Sequence, residues 1–132
     1  GSTEELKNTH VTAARAVALD GEDAFARWSL GTVLSFMRKH DEAIEELRTS
    51  IALNPSFAAA HAQMAGALNF CGRAQEAFVH LDEAERFSPK DQLTWLVPFH
   101  RAWANFHLGA FDDALEFARK AERESNAHGP KP

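Results

Sequence analysis

Apolar residues recur at three- and four-residue intervals along most of this chain, in segments separated by short polar connections. This spacing places the apolar side chains on one side of a helix. The connections within each pair of segments are only a few residues long, so they fit helices that run antiparallel. The pattern predicts seven helices, near residues 3–19, 22–37, 41–53, 56–70, 74–87, 91–108 and 111–125.

The predicted helices form pairs that repeat with a period of 34 residues. Pro55 and Pro89 are 34 residues apart, as are Ala43 and Ala77, whereas Ala114 follows Ala77 after 37 residues. A period of this length is typical of stacked helical repeats, in which neighbouring units bury each other's apolar sides. We therefore predict one all-α domain over residues 3–125, with a half repeat at 3–21 and full repeats at 22–55, 56–89 and 90–125.

Helix ends are predicted from capping residues and from proline. Asp41, Ser56 and Asp91 are candidate N-caps, because their side chains can accept a hydrogen bond from a free backbone N–H. Pro98 interrupts an otherwise helical segment, and a proline inside a helix removes a hydrogen bond and clashes with the preceding turn. We expect a kink or a late helix start between Thr94 and Pro98.

The two ends of the chain carry expectations of their own. Residues 1–2 resemble a scar left by removal of a tag, and residues 126–132 are polar and contain Gly and Pro, which predicts a frayed tail. Glu122 and Glu124 replace apolar residues of earlier repeats, so we expect the last helix to be a polar cap. At the other end, the half repeat lacks its first helix and is expected to expose an apolar edge at Leu6, His10 or Val11.

The repeated pattern resembles the tetratricopeptide repeat (TPR). The residues that carry the resemblance in the first full repeat are Leu30, Gly31, Ala43, Leu47 and Pro55, and Gly109, Phe111 and Ala114 continue it in the last. The resemblance implies a right-handed α-solenoid of antiparallel helix pairs, in which the first helices line a concave groove. Residues 51–68 and 88–96 are also similar to repeat regions that follow class III nucleotidyl cyclase or DNA-binding regulator domains in bacteria, which implies a larger signalling protein.

The register of the repeats places a particular set of residues in the implied groove. Large aromatic side chains would lie on its two flanks, where burying one anchor contributes on the order of 2–3 kcal/mol, and Asn69 would reach a backbone amide. Small residues and the two tryptophans of the set are explained equally well by packing between helices. The predicted partner-binding residues are Phe25, Trp28, Thr32, Phe36, Ala62, Gly66, Asn69, Phe70, Phe99, Trp103 and Phe106.

Catalytic chemistry has little support in the sequence. His100 and His107 are two turns apart on one predicted helix, with no carboxylate at metal-ligand spacing beside them. Cys71 is the single cysteine, so it has no partner for an internal disulfide or a CxxC pair. Because phosphate-binding and nucleophile motifs are also missing from the sequence, we expect no catalysis, no cofactor and no metal site.

Composition narrows the choice of partner. The 132 residues are 45% hydrophobic and carry a net charge of −5, from 14 basic against 19 acidic residues, without a basic run. Nucleic acid and anionic membranes are therefore expected to be poor partners, and no apolar stretch reaches the ~18 residues of a membrane helix. We predict a cytoplasmic, non-catalytic module that binds an apolar peptide or helix. The alternatives are self-association, as a homodimer through the N-terminal edge or the groove, and intramolecular regulation of a cyclase or transcription regulator.

Overall fold

The computed structural model describes residues 2–88 and 96–128, and the side chains up to residue 126. The regular secondary structure of these residues is entirely helical, which confirms the predicted all-α solenoid. Each helix packs against the next in the chain, and α4 also contacts both α2 and α6. The helices are α1 (Ser2–Leu19), α2 (Ala24–Phe36), α3 (His40–Leu53), α4 (Ala58–Phe70), α5 (Ala74–Phe87), α6 (Leu96–His107) and α7 (Phe111–His128).

The repeat is visible directly in the helix boundaries. Shifting the bounds of α2 and α3 by 34 residues gives the bounds of α4 and α5 at both ends. Shifting α5 by 37 residues gives Phe111, where α7 begins, and residue 124 as the equivalent end. α7 continues to His128, four residues beyond that point. The last helix pair therefore ends differently from the two pairs before it.

Small residues at the helix crossings form the core. Ala43, Leu47, Ala77 and Leu81 are fully buried, because the small side chains let neighbouring helices approach and the leucines fill the gaps. One cluster joins α3, α4, α5 and the start of α6, and a second joins α1, α2 and the start of α3. The core thus runs along the array without being gathered at one centre, as in stacked repeats.

The two observable N-cap predictions are wrong. α3 begins at His40 with Lys39 as its N-cap, so Asp41 lies inside the first turn. α4 has Phe57 as its N-cap, and no side-chain hydrogen bond caps either helix. The N-cap of α3 lies two residues before Asp41, and the N-cap of α4 lies one residue after Ser56. Asp91 lies outside the described residues.

The chain ends also differ from the prediction. α1 includes Ser2, and residues 126–128 belong to α7, so the helical array extends beyond 3–125 at both ends. Leu6 packs against the second core cluster, whereas Val11 is exposed, so the apolar edge is smaller than predicted. Pro98 is buried in the first described turn of α6. The predicted late start reaches residues outside the described part.

Candidate functional site

Three of the predicted partner-binding residues meet at an open apolar cavity between α6 and α7. Phe99, Trp103 and Phe106 come from α6, and the cavity has a volume of about 750 Å³. Its lining is almost entirely carbon, and the polar groups among its residues belong to Trp103 and to the C-terminal half of α7. The other lining residues are Ala102, Phe111, Ala114, Leu115, Ala118, Ala121, Glu122 and Ser125.

Helical spacing explains how both walls of the cavity arise. On α6, residues 99, 103 and 106 follow each other at intervals of four and three and so share one side of the helix. On α7, Phe111, Leu115 and Ala118 do the same. Because Ala114 and Ala121 are small and buried against α6, the two helices approach closely and leave a valley above the contact.

The prediction that α7 is a polar cap is wrong on this face. Phe111 is 62% exposed and Leu115 is 51% exposed, and Phe106 opposite them is 62% exposed. The prediction relied on Glu122 and Glu124 near the end of the helix, whereas the first half of α7 keeps its apolar stripe. An exposed apolar patch of this kind marks an interaction surface on a folded protein.

Trp103 lines the cavity and also packs against Phe70 of α4. Its ring meets Phe70 edge-on, with centroids 4.6 Å apart, and its Nε1 donates a hydrogen bond to His107 Nε2 at 2.6 Å. Phe70 in turn stacks on His40 at 4.6 Å while remaining exposed. These contacts fix the orientation of the indole, so the cavity wall is preformed.

Three other predicted groove residues are not on an open surface. Ala62, Gly66 and Asn69 are buried in α4, where α6 packs. A Cβ at Gly66 would lie 3.0 Å from the His100 ring, and Asn69 Nδ2 donates to the His100 carbonyl oxygen at 3.2 Å. The amide that was expected to reach a partner backbone thus bonds to the backbone of α6. Burial lowers the pKa of His100 to about 4.

The remaining predicted residues form a separate aromatic patch on α2. Trp28 lies between Phe25 and Phe57, with ring centroids 5.2 and 5.7 Å away. Phe36, at the other end of α2, is exposed. The indole Nε1 of Trp28 and the hydroxyl of Thr32 are buried without a hydrogen-bond partner. None of these residues lines the cavity between α6 and α7.

The described residues contain neither a cluster of metal ligands nor a membrane-spanning helix. Among residues 2–88 and 96–128, no three His, Cys, Asp or Glu side chains are grouped so that they could hold a metal ion. The Nδ1 atoms of His61 and His80 lie 3.0 Å apart and form a hydrogen bond. Within the described part of the chain, every helix is too short or too polar to cross a membrane.

Comparisons with known proteins identify the fold. No protein-family model and no curated protein matches the sequence. A MamA crystal structure superposes with a TM-score of 0.75 at 20% identity, covering 92% of this chain and 70% of that one. The MamA AMB-1 structure gives 0.78 at 21% identity, covering 96% and 73%. YrrB, described as a TPR protein with an unusual peptide-binding site, gives 0.70 at 18% identity, covering 96% and 64%.

Proposed function

We propose that this chain, which has a TPR-like fold, is a non-catalytic protein-interaction module whose binding site is the cavity between α6 and α7. The observation that carries the proposal is the cavity itself, which exposes Phe106, Phe111 and Leu115 around a volume of about 750 Å³. Sites that bind partners through apolar anchors have this form, with large side chains around a concave, desolvated centre. A protein or peptide partner is therefore the ligand class that fits.

The aromatic patch on α2 is the weaker site. Trp28 is engaged with Phe25 and Phe57, and the centre of the predicted groove is filled by the packing of α6 on Gly66 and Asn69. A partner lying along the whole concave side would need these contacts to open. The cavity between α6 and α7 needs no such rearrangement, because its walls are already held apart.

The proposal also covers the kind of protein to which this module belongs. The similarity of residues 51–68 and 88–96 to repeat regions of bacterial cyclases and regulators supports a role as the docking part of a cytoplasmic signalling protein. An exposed apolar surface is also compatible with self-association. Light scattering over a concentration series separates the two, because a self-associating chain gains mass with concentration and a docking module stays monomeric.

Binding of peptides selected from a displayed library tests the site. Phe106→Ala should weaken a selected peptide about tenfold or more, because an aromatic anchor at the centre of an interface contributes over 1 kcal/mol. Val79→Ala is the matched control, since Val79 is similarly exposed on α5 and lies outside the cavity. The proposed site would be refuted if Phe106→Ala and Val79→Ala reduced peptide affinity equally. It would also be refuted if only Phe25→Ala reduced the affinity.

A further inference from the structure

Hydrogen bonds from one arginine tie the turn before α2 to both helices of the first full repeat. Arg27, near the start of α2, donates from Nε to the Gly21 carbonyl oxygen at 3.0 Å and from Nη1 to Glu46 Oε2 at 2.9 Å. The guanidinium thereby connects the turn between α1 and α2, helix α2 and helix α3. We call Gly21, Arg27 and Glu46 the first clip.

The second full repeat has a clip at the same three positions, built from two histidines. Adding 34 to residues 21, 27 and 46 gives Pro55, His61 and His80. His61 Nε2 lies 2.8 Å from the Pro55 carbonyl oxygen, and His61 Nδ1 lies 3.0 Å from His80 Nδ1. This second clip joins the turn between α3 and α4 to α4 and α5, as the first clip joins the equivalent elements one repeat earlier.

The bonding partners determine where the hydrogens of the second clip lie. The Pro55 carbonyl oxygen only accepts, so His61 Nε2 carries a hydrogen and donates it. The Nδ1 atom of a neutral His61 is then an acceptor, and His80 donates to it from its own Nδ1. The neutral clip thus has one defined tautomer of each ring.

The second clip can take up one proton but not two. A proton on His61 makes its Nδ1 the donor and His80 Nδ1 the acceptor, whereas a proton on His80 Nε2 leaves the bond between the rings unchanged. A second proton puts a hydrogen on both Nδ1 atoms, which face each other at 3.0 Å, and brings two positive rings together. The hydrogen bond between the rings is then lost.

Burial of His61 makes this loss costly. His61 is 4% exposed, and its ring stacks on Phe87 at the end of α5, with centroids 6.1 Å apart and the Arg86 guanidinium 5.0 Å from the Phe87 ring. His80 is half-buried, so it is the ring that can turn toward solvent. When His80 leaves, the charged Nδ1–H of His61 stays buried without an acceptor. The cost falls on the contact between the start of α4 and the second half of α5.

Charged groups of α3, α4 and α5 act on His80 in both directions. Arg48 of α3 and His61 of α4 oppose a positive charge on His80, and Glu76 and Glu83 of its own helix favour one. Burial is the largest influence, and it lowers the pKa of His80. The second proton therefore binds at a lower pH than an exposed histidine would need.

The other helices that pack on α4 carry charged or titratable groups with partners outside the second clip. On α2, Arg27 is held in the first clip. On α6, Arg101 pairs with Asp82 of α5, and the His100 ring lies against Gly66 of α4. The response of the second clip to protons is therefore set by its two imidazoles and by the neighbours of His80 on α3 and α5.

The last repeat shows that the fold does not need a titrating pair at these positions. A shift of 37 residues takes His61 to Pro98 and His80 to Phe117, and neither of these side chains titrates. The three full repeats thus have an ion pair, a histidine pair and an apolar pair at equivalent places. Sensitivity to protons at these places belongs to the second repeat.

We infer that His61 and His80 form a proton-dependent clip, which holds with no added proton or with one and opens when both rings are charged. Opening loosens the second half of α5 from the start of α4, next to the turn that joins the first two full repeats. The first clip stays closed above about pH 5, because arginine and carboxylate side chains keep their charges there. The inference concerns the joint between repeats and does not depend on where a partner binds.

Amide hydrogen exchange across a pH series tests the inference. Exchange is followed from about pH 8 to about pH 4.5 and expressed as protection factors, which remove the intrinsic effect of pH on the exchange rate. His80→Gln is the matched control, because an amide accepts from a charged His61 and donates to a neutral one. Both proteins keep every other titrating group, including His100.

We expect equal protection in the two proteins at the alkaline end of the series. At the acidic end, residues 58–62 and 80–87 of the original chain should be about tenfold less protected than in His80→Gln. A second variant, His61→Arg with His80→Glu, rebuilds the first clip in the second repeat and should behave as His80→Gln does. Equal protection of the original chain and both variants at every pH would overturn the inference.

NMR titration of the histidine rings counts the protons. The signals of His61 and His80 should each show two steps, because each ring responds to protonation of the other. Signals that titrate independently, each in one step near pH 6.5, would show that the rings share no hydrogen bond and would also overturn the inference. Circular dichroism checks that both variants fold.

Discussion

At Gly31, α2 comes so close to α3 that there is no space for a side chain. A Cβ at this position would lie 2.7 Å from Leu47 Cγ and 3.3 Å from the Ala43 carbonyl oxygen. Leu47 is completely buried, and the carbonyl belongs to the backbone, so neither atom can move aside cheaply. The close approach therefore outweighs the roughly 1 kcal/mol by which glycine is a poorer helix former than alanine.

Gly31→Ala should for this reason lower the free energy of unfolding by about 1–3 kcal/mol, the usual cost of overpacking a core. Urea denaturation measures the change. Gln75→Ala on the exposed side of α5 is the control, because there the better helix former meets no neighbour and should leave stability the same or slightly higher. A Gly31→Ala protein as stable as the original would contradict the packing argument.

The turn between the helices of each pair places one residue in the left-handed region. Gly72 and Gly109 have φ values of 72° and 79°, but the equivalent residue of the first full repeat is Arg38, with φ 62°. A side chain in this conformation is strained by about 1 kcal/mol or more, whereas glycine is not. The first full repeat thus carries a strain that the other two avoid.

Arg38→Gly should raise the free energy of unfolding by about 0.5–1 kcal/mol as that strain is removed. The reciprocal change, Gly72→Ala, should lower it by a comparable amount, although an added Cβ there would meet no atom within 4 Å. Both are measured by urea denaturation. Changes of opposite sign in the free energy of unfolding of the two variants support the conformational explanation. A loss of stability in Arg38→Gly would rule it out.

At the scale of elements, α2 begins with a side-chain cap. Asp23 Oδ1 accepts hydrogen bonds from the backbone N–H groups of Phe25 at 2.9 Å and Ala26 at 3.3 Å. Asp23→Ala should therefore cost about 1 kcal/mol of stability. Ser56→Ala is the comparison, since Ser56 has the sequence signal of a cap but donates to Asn54 Oδ1 instead. Calorimetry should show a lower Tm for Asp23→Ala alone.

The contact between α4 and α6 makes stability depend on pH. Burial lowers the pKa of His100 from 6.5 to about 4, so between these values the unfolded chain binds a proton that the folded chain does not. The contribution of His100 to stability should fall by roughly 3 kcal/mol as pH decreases from 6.5 to 4 and should change no further below that window. Burial and the neighbouring His61 also lower the pKa of His80, which acts in the same direction.

Unfolding free energies measured across this pH range test the assignment. His100→Gln should flatten the slope, because the amide does not titrate. A slope that persists in His100→Gln would mean that another group, such as His80, dominates the dependence.

The elements themselves were predictable because their signals are periodic and local. The 34-residue step and the helical spacing gave the seven helices within a few residues of their ends. The binding site was less predictable, because equivalent positions in successive repeats have different surroundings. Asn69 is buried against α6, while its equivalent, Phe106, is exposed in a cavity. Asn69 is covered by α6, whereas no described helix covers Phe106, and residue type alone does not reveal this difference.

For the molecule as a whole, the two ends of the array differ in how they meet solvent. α1 packs on α2 through Ala13 and Leu6 and presents a largely polar outer side. Among the described residues, the groove between α6 and α7 is open, whereas α4 packs beside α2 and α3, and α6 packs beside α4 and α5. The central claim is that this open groove is the binding site, and that the concave side around Trp28 is not.

Amide hydrogen exchange of the chain with and without a selected peptide tests that claim most directly, because it reports protection along the whole backbone. We predict slower exchange in α6 and α7, around Phe106 and Phe111, with α2 unchanged. Protection centred on Phe25 and Trp28 in α2, with α7 unchanged, would contradict the claim and return the binding site to the concave groove.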